Sequence, residues 1–261
     1  MKSNNKVYIV LLVILFVFFI VMFLLFGIDN IKKESYSSTI IVGNSSVFQY
    51  KKERWMNIRM KTSLDELSWN TFKVYQDKQE LGDYELWYSD NRWYAFDHNR
   101  NAINTEDSIF AYDGNYDLKI NYPEEQQVSN LEYVYQVLMD NNISTSEEFT
   151  SLYKINFDID NDHIEEEFYI VSNAFTTGYT PEKIFSIAFM VKNNSIYPIY
   201  QDIRNNNYYD SCKPYYNVFL DVNNDNQYEF ILSCGKYSNQ EQIDILYQFV
   251  ENQFKILISN Q

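Results

Sequence analysis

Residues 155–170 read INFDIDNDHIEEEFYI, and residues 218–232 read VFLDVNNDNQYEFIL. At an offset of 63 residues Asp158 falls on Asp221, Asp162 on Asp225 and Glu166 on Glu229. In each copy an alternating apolar stretch enters an acidic loop and an apolar stretch leaves it, the pattern of two strands joined by a loop. Each copy then runs into a hairpin-like stretch. The first covers 185–200 and turns at Asn193-Asn194; the second covers 243–259 and turns at Glu251-Asn252. Two units of roughly 60 residues, each with about four strands, are expected to form a repeat architecture.

The spacing inside the loops carries the chemistry. Asp158, Asp160 and Asp162 occupy the first, third and fifth positions and Glu166 the ninth. The second copy places Asp221, Asn223, Asp225 and Glu229 at the same positions. A tight loop that turns alternate side chains inward gathers these oxygens around one centre. Calcium takes six to eight oxygen ligands, and the seventh-position carbonyls of Ile164 and Gln227 can join the side chains. Carboxylates held this close without a cation would repel one another. The expectation is therefore up to two calcium ions, the tighter one in the first loop. The alternative is a solvated acidic turn that only joins strands.

These loops resemble the calcium-binding aspartate loops of FG-GAP and VCBS repeats, which occur in the β-propellers of integrin α-chains and of bacterial surface proteins. The pattern there is D-x-D-x-D-G-x-x-E between two strands. Asp158, Asp160, Asp162 and Glu166 match it, as do Asp221, Asp225 and Glu229. His163 and Asn226 stand where the family has glycine. Glu165 and Glu167 flank Glu166, so either neighbour is an alternative ligand. The resemblance implies propeller-blade-like units over about residues 150–261; two units cannot close a propeller. The whole chain also looks like single-helix-anchored proteins of clostridia-like bacteria.

Upstream, short aromatic stretches at 72–75, 84–88 and 92–96 read as strands, as do 39–42 and a pair at 109–112 and 117–120. Trp87, Trp93, Tyr94 and Phe96 are either a ligand platform or packing residues. Ser129 with Glu132 has capping-box spacing for a helix that fades at residues 140–142, and a second short helix is expected near Ser146. The first 28 residues differ in kind. Residues 7–26 read VYIVLLVILFVFFIVMFLLF without a charge, and Gly27 and Ile28 extend the run. Twenty apolar residues match the bilayer core as a helix. No small-residue cleavage pattern follows, so an uncleaved signal-anchor is expected. Lys2 and Lys6 ahead of the run favour a cytoplasmic N-terminus and an exocytoplasmic remainder. The organisation read from the sequence is thus a cytoplasmic tail (1–6), a transmembrane helix (7–28), a connector (29–38), an N-terminal β-rich region (39–122), a helical linker (123–153) and a two-copy aspartate-loop repeat (154–261).

The chain has 21 basic and 36 acidic residues. Residues 1–34 hold four lysines and two acids, which leaves 17 basic against 34 acidic residues beyond them, a net −17. Such a surface repels nucleic acid. No Walker A, G-x-S-x-G, H-E-x-x-H or paired Cys-His signature is present. His98 is a lone candidate base, and Asp160 with Glu166 a carboxylate pair of the kind a carbohydrate-active enzyme uses. Neither sits in a marked cleft, so the expectation is a non-catalytic calcium-binding module anchored in the bilayer. It would present a surface to a protein, glycan or cell-wall partner. The alternative is an assembly subunit of a cell-envelope complex. If 215–220 and 229–233 pair as a hairpin around the Asp221 loop, Cys212 and Cys234 come within reach of a disulfide.

Overall fold

The computed structural model describes residues 37–43, 46–51, 54–58, 61–76, 78–90, 92–103, 110–114, 118–174, 183–205, 212–236 and 242–260. Its strands form three antiparallel sheets. The first holds β1 (Ser37–Val42), β2 (Ser46–Lys51), β3 (Arg54–Asn57), β4 (Thr71–Gln76), β5 (Gln79–Ser89), β6 (Arg92–Phe96), β7 (Ala102–Ile103) and β8 (Phe110–Gly114), in the order β3-β2-β1-β8-β4-β5-β6-β7. After β9 (Lys119–Asn121) comes the second sheet, β10 (Ser151–Phe157), β11 (Glu166–Ser172), β12 (Lys183–Lys192) and β13 (Ser195–Asn205), in sequence order. The third contains β14 (Cys212–Asp221), β15 (Glu229–Lys236), β16 (Gln242–Val250) and β17 (Gln253–Ser259), with β9 added beside β14. Among the described residues two short helices, α1 (Lys61–Leu67) and α2 (Glu132–Asp140), accompany the sheets.

Side-chain alternation decides how the sheets stack. Val218, Leu220, Ile231 and Leu246 of the third sheet pack on Ile40, Val42, Phe48 and Phe110 of the first. Their neighbours Phe219, Phe230, Leu232 and Ile245 point the other way, onto Ile155, Phe168, Ile170 and Met190 of the second. Both faces of the third sheet are therefore covered, which explains why Glu229 through Cys234 of β15 are buried without alternation. The far face of the second sheet meets Val134, Val137 and Leu138 of α2, and that of the first meets Leu64 of α1. Phe168 is fully buried, with the rings of Tyr216, Phe219 and Phe230 at 5.6, 5.2 and 5.8 Å. Burying a ring of this size stabilises by about 2–3 kcal/mol.

One polar device joins the first and third sheets. Asp244 is fully buried. Its carboxylate accepts from Ser46 Oγ and Ser233 Oγ, both at 2.5 Å, and from Gln242 Nε2 at 2.8 Å. Asn260 Nδ2 donates to Ser46 Oγ at 2.7 Å and closes the network. A buried carboxylate is tolerable only when its lone pairs are met in this way.

The structure corrects several expectations. The sheets are stacked and open, and no closed propeller forms among the described residues. Also among the described residues, no helix is long and apolar enough to cross a membrane. The apolar run 7–28 and the tail 1–6 lie outside the described residues, as does the connector up to residue 36. The transmembrane helix, the bilayer partner and the cytoplasmic–exocytoplasmic topology are corrected accordingly, since no described element carries them. Strands β8 and β9 do not pair. Strand β8 lies between β1 and β4, and β9 crosses to β14 in another sheet, because its Ile120 packs with the apolar cluster between the two sheets. Helix α2 starts later than its capping-box reading. The Glu132 N–H is met by Asn130 Oδ1 at 3.0 Å, and Ser129 makes no cap. Residues 145–146 form a turn, not a second helix. Both repeat hairpins turn where their sequences indicate. Asn193 and Asn194 have φ of 52° and 61°, and Glu251 and Asn252 55° and 59°, the left-handed pair that two-residue hairpins require.

Candidate metal centre

The two acidic loops leave β10 and β14 and return as β11 and β15 with the same backbone. Their fourth positions, Asn161 and Asn224, both have φ of 56°. Their sixth, His163 and Asn226, have 71° and 66°. The left-handed turn thus forms without the expected glycine, at a strain that Asn and His tolerate better than most residues.

The hydrogen bonds also repeat. Asp158 accepts from the Asp162 and His163 N–H groups at 3.0 and 2.8 Å; Asp221 accepts from those of Asp225 and Asn226 at 3.0 and 3.1 Å. Asp162 takes the Ile164 N–H at 2.9 Å, and Asp225 the Gln227 N–H at 2.8 Å. Glu166 Oε2 takes the Ile159 N–H at 3.0 Å, and Glu229 Oε2 the Val222 N–H at 3.2 Å. The register also settles which glutamate faces inward. Glu166 is 1% exposed, whereas Glu165 is exposed and Glu167 turns to Lys154 and Tyr169.

The loops differ in their cations. Lys192, at the end of β12, places its ammonium 2.7 Å from Asp160, 2.7 Å from Glu166 and 3.1 Å from Asp162. Sequence reading missed this residue. Lys192 directly precedes the Asn193-Asn194 turn, but only the β11–β12 register, which pairs Glu167 with Val191, carries it beside Glu166. Burial acts to lower the Lys192 pKa, but hydrogen bonds to the three carboxylates outweigh it and raise the pKa, so the group stays charged. Burial pushes the Glu166 carboxyl up, against the pull of Lys192. The Ile164 N–H, and then Lys192, hold Asp162 below the usual carboxylate range.

Asp158, Asp160 and Glu166 each bring a carboxylate oxygen within 4.8 Å of the others, an arrangement that could coordinate a divalent metal ion. Counting Asp162, four carboxylates face one ammonium, so three negative charges remain in excess. Asp160 Oδ1 is buried and accepts no hydrogen bond. In the second loop Asp221 and Glu229 are buried, but Asp225 is exposed and bonds Asn223 and Gln227. The three do not converge as the first set does. Lys119 of β9 reaches this loop from outside, 2.6 Å from Asn226 Oδ1 and 3.8 Å from Asp221. Burial raises the Glu229 pKa from 4.5 to about 8.

The other sequence candidates are scattered. Trp93 is buried, while Trp87, Tyr94 and Phe96 share a partly open face with Trp69, whose ring stacks on Trp87 at 5.9 Å under the Arg100 guanidinium. His98 is exposed in a turn beside Asp97, whose carboxylate Asn101 and Asn99 hold below its ordinary pKa. Cys212 and Cys234 form a disulfide across β14 and β15, with Cα atoms 5.5 Å apart.

Comparison with known proteins gives no match to a family model, a curated protein or a solved structure. The resemblance to FG-GAP and VCBS repeats, and that to helix-anchored clostridial proteins, is corrected on this ground and on the open stacking of the sheets. The shared feature is a spacing of acids in a loop, which separate folds can reach independently.

Proposed function

We propose that this chain is a calcium-binding β protein whose first acidic loop exchanges the Lys192 ammonium for a calcium ion, and that its role is binding rather than catalysis. The observation that carries the reading is the convergence of Asp158, Asp160 and Glu166 with a buried Asp160 oxygen that nothing else satisfies. Calcium suits an all-oxygen, irregular cluster, whereas magnesium demands near-ideal octahedral geometry and zinc favours nitrogen and sulfur. With Lys192 displaced, the four carboxylates favour a divalent over a monovalent cation. The lysine must leave first, which weakens binding toward the millimolar end of calcium sites. Support for binding over catalysis comes from the same contact. The carboxylate pair Asp160 and Glu166 is tied to one ammonium, so neither is poised to pass a proton. Thermal unfolding of the full chain in millimolar calcium, in magnesium and in chelator tests the reading. Calcium alone is expected to raise the melting temperature, and to lose that effect in Asp160→Asn. Equal curves in all three solutions would overturn it.

A further inference from the structure

The repeats agree in backbone and hydrogen bonds but not in what faces the ninth-position glutamate. Glu166 meets the Lys192 ammonium. Glu229 is paired in register with Gln248, whose neutral Nε2 donates to Oε1 at 3.0 Å. Among the described residues no cation pairs with Glu229, although it is fully buried. The Lys119 ammonium serves Asp221 and Asn226 instead.

Beside Glu229 the structure holds a cavity of about 200 Å³. It lies between the first and third sheets. Tyr50 and Trp55 form one wall, with ring centroids 5.3 Å apart, and Val222, Asn223, Gln248 and Leu257 complete the lining. We propose that this cavity binds a small primary amine as its ammonium ion, which supplies to Glu229 the positive charge that Lys192 supplies to Glu166.

Three features select this ligand class. The volume equals roughly six or seven water molecules, room for a short alkylammonium and far more than one metal ion needs. Aromatic faces attract an organic cation, and Val222 and Leu257 offer an apolar lining for its chain. The Gln248 amide, turned over, presents its oxygen in place of its NH₂, so that one ammonium meets the glutamate and an amide oxygen together. The net charge of −15 draws cations toward the site. The inference stands apart from the calcium reading, because it concerns the other loop.

The test is a calorimetric titration of the full chain with n-butylammonium chloride and, in parallel, n-butanol. It is run at about pH 8.5, where an alkylamine, like lysine, is still protonated. Saturable binding of the amine and none of the alcohol is expected. Glu229→Gln should weaken binding about tenfold or more, the usual worth of a hydrogen bond to a charged group. Gln248→Lys builds in the ammonium of the first repeat. It should melt no lower than the parent chain and no longer bind the amine. Asp160→Asn, which disables the first loop, should bind the amine unchanged, so failure of the calcium reading is distinguishable from failure of this one. Equal binding of the alcohol, undiminished binding by folded Gln248→Lys, or no saturable heat from the parent chain would overturn the proposal.

Discussion

Replacing Glu229 by glutamine should stabilise the ligand-free protein at neutral pH and flatten its stability profile above pH 5. Burial, and after it the nearby Asp225 and Asp221 carboxylates, raise the pKa of the Glu229 carboxyl from 4.5 to about 8. In the unfolded chain it ionises near its ordinary value. The folded state therefore binds the proton more tightly. That stability is fully present below about pH 4.5, declines as pH rises and is lost as pH passes the folded value near 8. Each pH unit between 4.5 and 7 removes about 1.4 kcal/mol, so the loss at neutral pH is roughly 3 kcal/mol. Glutamine imitates the protonated acid. Its oxygen can still accept the Val222 N–H, and Gln248 can turn its amide to suit. Urea unfolding of both chains at several pH values between 5 and 8, in chelator, isolates the group. The advantage of Glu229→Gln should be under about 1 kcal/mol at pH 5 and grow toward pH 8. An advantage independent of pH, or one that grows toward acid, would refute the burial argument.

Other substitutions probe the remaining contacts. Lys192→Gln leaves the first loop's carboxylates without their ammonium, and in chelator should lose about 3 kcal/mol by urea unfolding, the scale for breaking a buried ion pair; calcium should restore most of the loss. Asp244→Ala removes the acceptor that the Ser46 and Ser233 hydroxyls and the Gln242 amide share between two sheets, and a drop of about 3 kcal/mol is expected in the same assay. The double change Cys212→Ser, Cys234→Ser opens a link between residues 22 apart and should cost about 3 kcal/mol, with no change in calcium stoichiometry.

The strands were the most legible part of the fold, because local pattern governs them. Arg92–Phe96 reads as a strand from its aromatic content, and the hairpin turns at Asn193-Asn194 and Glu251-Asn252 sit between apolar arms that fix their register. Which strands share a sheet was not legible. Phe110–Gly114 and Lys119–Asn121 are near in sequence and look like a pair, yet long-range burial of Ile120 against the third sheet separates them. The carboxylates of the loops were visible because their spacing is local. Lys192 and Gln248 were not, since they reach the loops only through cross-strand register. The Tyr50–Trp55 wall lies more than 160 residues from the loop it faces, beyond any local signal. The resemblance of the loops also implied propeller-blade-like units, but spacing describes one loop and cannot specify how sheets stack.

Calcium titration of the full chain by calorimetry, alongside the double variant Asp158→Asn, Asp160→Asn, decides whether the first loop is a calcium site. One ion per chain is expected, with a dissociation constant on the order of 10⁻⁴ to 10⁻³ M, and no binding by the variant. No saturable binding by the parent chain, or equal binding by the double variant, would contradict it.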